Sequence, residues 1–187
     1  MIYIGIDPGL TGGISAIDTN GKCIFAKSTP CIKIIKNNKE KLDYDIIKMS
    51  DYIKQFLDKD VTVCQELTHA MPGNGGVSMY NFGRGGGIWE GISGALSVKH
   101  IFCTPQKWKL MYPVLAQEKL TKEERYGMTY SQISSWKRKK KSDSKKKSIE
   151  LAKSMFKEAS HEMTKVKHDG IAEAILIAHW ARSTYGK

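Results

Sequence analysis

Met1-Ile2-Tyr3-Ile4-Gly5-Ile6-Asp7, broken at Pro8-Gly9 and resumed at Gly13-Ile14-Ser15-Ala16-Ile17-Asp18, alternates β-branched and small residues on a two-residue period. That is the pattern of two strands joined by a turn. Asn20-Gly21 is expected to close the hairpin into a third strand, Cys23 to Ser28. Apolar residues at Ile46, Ile47, Met49, Ile53, Phe56 and Leu57 then follow helical spacing within Asp43 to Leu57, and Val61 to Glu66 reads as a fourth strand. The glycine-rich stretch from His69 to Gly87 passes into a helix ending near Leu96, and His100 to Thr104 is the fifth strand. Pro105 suits the first turn of a short helix carrying Gln106, Lys107, Trp108 and Lys109. Residues from Leu115 to about Lys141 are polar and weakly periodic, so an insertion is expected at 115–141, as a loop or small helical excursion. Two helices, Ser144 to Ala159 and Asp169 to Arg182, finish a single domain over 1–187. A mixed α/β sheet with strand order 3-2-1-4-5 follows, its first and fourth strands parallel neighbours through a right-handed crossover.

The chain has 187 residues, one full core's worth, and no apolar run approaches the ~20 residues of a membrane span. Met1 leads straight into the expected core strand, so no cleavable signal is expected ahead of it. A cytoplasmic protein of a bacterial cell or a bacteriophage-infected host is the expectation. Cys23, Cys31, Cys64 and Cys103 lack the C-x-x-C spacing of zinc or redox sites and read as reduced core thiols. Against 19 acidic residues stand 30 Lys and Arg, a formal charge of +11. A polyanionic partner is favoured by field and counterion release.

The expected topology puts Asp7 and Glu66 at the carboxyl ends of adjacent parallel strands, where open α/β sheets place their sites. Asp169 and Glu173 stand four apart on the closing helix and share a face, while Ile171, Ala172, Ile175, Leu176 and Ala178 supply apolar surface for docking. Clustered carboxylates repel unless a cation neutralises them, and hard oxygen donors suit Mg²⁺ or Mn²⁺. Two ions about 4 Å apart per site would support in-line phosphodiester hydrolysis without a covalent intermediate. Helix capping is a rival role for Asp169.

Five segments carry a resemblance. Ile4-Gly5-Ile6-Asp7-Pro8-Gly9, Gln65-Glu66, Ser78-Met79-Tyr80-Asn81-Phe82-Gly83-Arg84, Thr104-Pro105-Gln106-Lys107-Trp108-Lys109 and Lys167-His168-Asp169-Gly170-Ile171-Ala172-Glu173-Ala174 resemble, in order and spacing, the segments of RuvC-type Holliday junction resolvases. The resemblance implies a ribonuclease H-like fold and a homodimeric endonuclease nicking four-way DNA junctions, with Asp7, Glu66, Asp169 and Glu173 as metal ligands. Two departures stand out: Glu173 replaces the Asp that many relatives carry, and the 115–141 stretch is longer than in compact bacterial members.

His168 adjoins an acid and is a candidate proton shuttle, with a solvent-facing histidine as the bland alternative. Gly83, Gly87, Gly91 and Gly94 form a stripe that costs about 1 kcal/mol per residue against alanine. Close approach of a second copy is the expected compensation, unless the helix begins only after Gly87. Ser78, Tyr80, Phe82, Arg84, Lys107 and Lys109 are expected on DNA, Tyr80 and Phe82 by stacking on an unpaired base. Lys137, Arg138, Lys139, Lys140 and Lys141, followed by Lys145 to Lys147, are the densest charge and are expected on phosphates. Pro72-Gly73-Asn74-Gly75-Gly76 lacks the Lys-Ser/Thr of a nucleotide P-loop, so no nucleotide cofactor is expected. Gly5 to Gly13 also resembles the phosphate loop of sugar kinases and actin-like ATPases, folds that need about twice this length. The same acids would equally serve a ribonuclease H-like nuclease acting on flaps, other branched DNA or RNA-DNA hybrids, and the same basic charge would serve a non-catalytic nucleic-acid-binding domain.

Overall fold

Alternation along β1 (Ile2–Asp7) sends Ile2, Ile4 and Ile6 to one face of a sheet and Tyr3, Gly5 and Asp7 to the other. The computed structural model describes residues 1–67, 75–116 and 119–186. β1 is central. It pairs antiparallel with β2 (Gly13–Asp18), which pairs with β3 (Cys23–Ser28), and parallel with β6 (Val61–Glu66), which pairs with β7 (Lys99–Cys103). The sheet order β3-β2-β1-β6-β7 is the expected order of its five strands.

Ile2, Ile4, Ile6, Ile14 and Val63 bury with Met49, Ile53, Trp89 and Ile92, on the face covered by α1 (Ile46–Lys54) and α2 (Gly76–Ala95). Tyr3, Ile17 and Cys64 bury on the other face. Their partners there are Trp108 of α3 (Pro105–Lys109), Ile149 and Ala152, and the apolar side of α6 (Asp169–Tyr185), including Ile171, Ile175 and Leu176. The parity of β1 and β6 therefore turns Asp7 and Glu66 toward α3 and α6.

α6 lies on the sheet at backbone contact. A Cβ on Gly5 would stand 2.1 Å from the Ala174 carbonyl oxygen, and one on Gly13 would stand 2.5 Å from that of Gly170. Only glycine permits this approach, and it carries the first turns of α6 over the end of β1.

Two expected helix starts change. The helix expected from Asp43 begins at Ile46, where the Asp45 carboxylate accepts from the Lys48 N–H as its cap, because Lys39–Tyr44 is a strand. That strand, β5, pairs antiparallel with β4 (Cys31–Lys36) in a separate two-stranded ribbon that the hydrophobic pattern does not announce. After α4 (Lys122–Arg125), the helix expected from Ser144 begins at Tyr130 and runs as α5 (Tyr130–Met155), opened by a Thr129/Gln132 capping box, so 115–141 is partly helix. α2 starts at Gly76, not after Gly87. No described helix is long and apolar enough to cross a membrane.

Candidate active site

Ile6 pairs with Gln65, so Asp7 and Glu66 are the next residues of neighbouring parallel strands. Asp7, Glu66, Asp169 and Glu173 line one cleft of about 680 Å³. Burial, then the charges of Glu173, Glu66 and Asp169, hold the Asp7 carboxyl well above the usual carboxylate range, with Lys109 opposing them. Burial and Glu173 also raise Glu66, while a hydrogen bond from Trp108 lowers it.

Three of the four carboxylates have a definite neighbour. The Trp108 indole Nε1 donates to Glu66 Oε2 at 2.6 Å. Lys145 Nζ lies 2.6 Å from Asp169 Oδ2, while Asp169 Oδ1 is buried with no hydrogen-bond partner. Ser148 Oγ donates to Glu173 Oε1 at 3.2 Å, and Lys109 Nζ lies 3.4 Å from the same oxygen. Lys109 also rests over the Trp108 ring, 4.8 Å from its centroid. Two ammonium groups thus sit against the acids. Among the described residues, no three His, Cys, Asp or Glu side chains are gathered into a preformed metal cluster. The donor set nevertheless suits a hard cation in kind: it is all oxygen, and one buried oxygen is unsatisfied.

Asp169 does not cap its helix, since the N-cap is His168 and no side-chain cap bond forms there. His168 lies outside the acid cleft. Its Nδ1 turns back toward the Lys165 N–H at 3.4 Å, and it lines a second cavity with Lys27, Thr29 and Asp45. Arg84, expected on DNA, is salt-bridged to Asp43 and packed over Tyr44. Phe82, Trp136, Lys137, Lys140 and Lys141 line the cleft, whereas Tyr80 and Lys107 are exposed outside its lining. Arg138 donates to Ser135, and Lys139 is exposed. Gly83, Gly87, Gly91 and Gly94 are exposed, and a Cβ at any of them would meet nothing within 4 Å. The side chain of Ser78 and the loop residues Pro72, Gly73 and Asn74 lie outside the described residues.

Sequence alone does not assign Trp108, Lys145 and Ser148 to the acids. The signal is there for two of them: Lys141, Lys145, Ser148 and Ala152 follow one helical face, so a helix extended back to Tyr130 aims that face at α6.

No protein-family model matches the sequence, and no curated protein does. Solved structures do. RuvC of T. thermophilus in complex with a Holliday junction substrate is similar at 12% identity and a TM-score of 0.53, over 99% of this chain and 97% of that one. A second Thermus thermophilus RuvC structure is similar at 16% identity and a TM-score of 0.46, over 98% and 97%. Over nearly its whole length, the chain has the ribonuclease H-like fold of RuvC, with a mixed five-stranded sheet between helical layers.

Proposed function

We propose that the protein is a structure-selective endodeoxyribonuclease that resolves four-way DNA junctions by metal-dependent phosphodiester hydrolysis, leaving 5′-phosphate and 3′-hydroxyl ends. One observation carries the reading: four carboxylates from β1, β6 and α6 share a cleft whose outer wall is lined by lysines of α5. Mutual repulsion disfavours such a cluster unless a cation is part of its working state. RuvC, which shares the fold, is known in complex with a Holliday junction substrate, and that supports the choice of substrate.

Asp7, Glu66, Asp169 and Glu173 would hold the metal. Bound there, Mg²⁺ or Mn²⁺ would supply an activated water and charge neutralisation at the departing oxygen. Trp108 holds one oxygen of Glu66, fixing the carboxylate plane and leaving Oε1 for the ion. Lys145 and Lys109 stand where cationic charge is needed in its absence, and they are free to turn to the phosphate once the acids are neutralised. Lys137, Lys140, Lys141 and Lys147, which line the cleft, would lead the strand into it, and Phe82, also in the lining, would stack against a base at its edge. Water would attack phosphorus in line and give up a proton to solvent, while the bond to the 3′ oxygen breaks and that oxygen takes up a proton to leave as the 3′-hydroxyl. Paired nicking requires two sites, and the exposed glycine face of α2 is the surface on which a second copy would pack.

Wild type and Asp7→Asn, each incubated with Mg²⁺ and a labelled four-way junction, flap and RNA-DNA hybrid, test the reading. Wild type should cut the junction in opposing strands, and the variant should leave it intact. Preference for the flap or hybrid would move the substrate to those classes. Tight binding with no cutting by wild type would make the chain a binding domain.

A further inference from the structure

We infer that the β4–β5 ribbon is a second DNA-contacting element, which lays a lysine face along the phosphates of a duplex arm beside the cleft. This deepens the nuclease reading and rests on it. In β4 and β5, directly opposed residues share a face. Ile34 opposes Lys41 and Lys36 opposes Lys39, so Lys36, Lys39 and Lys41 stand on one side of the ribbon. The opposite side carries Lys33 opposite Leu42 and Ile35 opposite Glu40.

The ribbon's acidic residues are already engaged. Glu40 Oε1 pairs with Lys33 Nζ at 2.8 Å on the opposite side, and Asp43 is held by Arg84 at the base. Lys36, Lys39 and Lys41 are exposed, and none closes a salt bridge among the described residues. Directly opposed like charges such as Lys36 and Lys39 destabilise a two-stranded ribbon. A polyanion laid across them removes the penalty and releases counterions.

Placement supports the same partner. Asn37 and Asn38 have φ of 54° and 56°, as a two-residue hairpin turn requires, so the ribbon is a defined arm. Six residues per strand give it a reach of about 20 Å. Its base is tied to the loop after Asp7: the Thr29 N–H donates to the Gly12 carbonyl at 3.0 Å, and the Cys31 thiol donates to that of Leu10 at 3.5 Å. On its other flank, Tyr44 Oη donates to the Asn81 carbonyl of α2 at 3.3 Å, one residue before Phe82 of the cleft lining. The arm therefore leaves the molecule beside the mouth that α5 lines from elsewhere. Phosphate contacts of this kind carry no base sequence, as shape-directed recognition of a junction needs.

The test is junction binding by fluorescence anisotropy across 50–300 mM salt, without divalent ion so that no strand is cut. Wild type is compared with the triple variant Lys36→Gln, Lys39→Gln, Lys41→Gln. The slope of log K against log salt should shrink by about 2 to 3, near 0.9 for each phosphate no longer neutralised, with binding at least tenfold weaker at 100 mM salt. Lys33→Gln, on the opposite side, should leave the slope unchanged. If the triple variant does not fold, the three single variants are read instead, each with a slope smaller by about 0.9. An unaltered slope and affinity in the triple variant would overturn the inference in favour of a protein partner for the ribbon and leave the nuclease reading standing. A Lys33→Gln effect equal to that of Lys39→Gln would overturn the assignment of the face. Failure of wild type to bind the junction at any salt would overturn both.

Discussion

Trp108 is a neutral side chain that meets the acids of the cleft, through Glu66. It is fully buried, and its indole N–H donates to Glu66 Oε2. Trp108→Phe keeps most of the ring packing and deletes that bond. The cleavage rate at limiting Mg²⁺ should fall roughly 10- to 100-fold and recover in part at high Mg²⁺, since outer-shell partners of metal ligands contribute that much. An unaltered Mg²⁺ dependence would remove the orienting role. Asp7 gives a prediction with a sign. Its carboxyl is raised by burial first and by neighbouring acids second, so the folded chain binds that proton more tightly than the unfolded chain does. The contribution of Asp7 to the stability of the metal-free protein is therefore fully present below the ordinary carboxylate range and is lost as pH rises through the raised value. Asp7→Asn should abolish cutting yet raise the metal-free melting temperature at neutral pH by about 2–4 °C for each kcal/mol of relieved repulsion. A lower melting temperature in thermal scans would contradict the electrostatic account. At this scale, the acids are legible in the sequence because strand ends and an i, i+4 pair locate them. The Arg84–Asp43 pair is not, because Asp43 belongs to a ribbon that the hydrophobic pattern hides. His168 sits one residue before the helix, where its ring turns to the preceding loop.

Among the elements, α6 owes its position to glycine. Gly5→Ala would press a methyl group into the α6 backbone at Ala174 and Ala178. Overpacking of this kind costs on the order of 1–3 kcal/mol. It should also displace Asp169 and Glu173 from Asp7, so activity should fall further than the melting temperature alone explains; full activity in the folded fraction would contradict that coupling. α5 makes a different contribution. Replacing Lys137, Lys141 and Lys147 with Ala should weaken junction binding and lower the salt slope by about 0.9 for every phosphate they neutralise, without moving the cleavage position. A slope equal to wild type would remove α5 from the DNA path. The central strands and α6 are readable because they are buried and periodic. The first half of α5 is mostly polar and docks little, so hydrophobic period does not show it, although Thr129 and Gln132 hold its capping signature. The ribbon escapes because lysines interrupt its alternation and Asn37-Asn38 turns it without glycine.

For the molecule as a whole, an excess of 30 basic over 19 acidic residues is distributed with purpose: lysines line the cleft and one side of the ribbon, while the acids that matter are inside. The glycine face of α2 is open, so if the proposed dimer packs there, wild type should scatter light as two copies and Gly91→Trp as one, with the protomer's melting temperature unchanged. A dimer that persists would move the interface elsewhere. Fold class and strand order are visible in the chain because a two-residue period and crossover handedness leave few arrangements for five strands. The way Glu66, Asp169 and Glu173 are held is not, since Trp108, Lys145 and Ser148 meet them only after α3 and α5 dock. The most direct measurement is anomalous diffraction from crystals soaked in Mn²⁺. Peaks bounded by Asp7, Glu66, Asp169 and Glu173, with Lys145 and Lys109 turned away from the carboxylates, are the expected result. A cleft without a peak at saturating Mn²⁺, its lysines still paired with Asp169 and Glu173, would contradict the account.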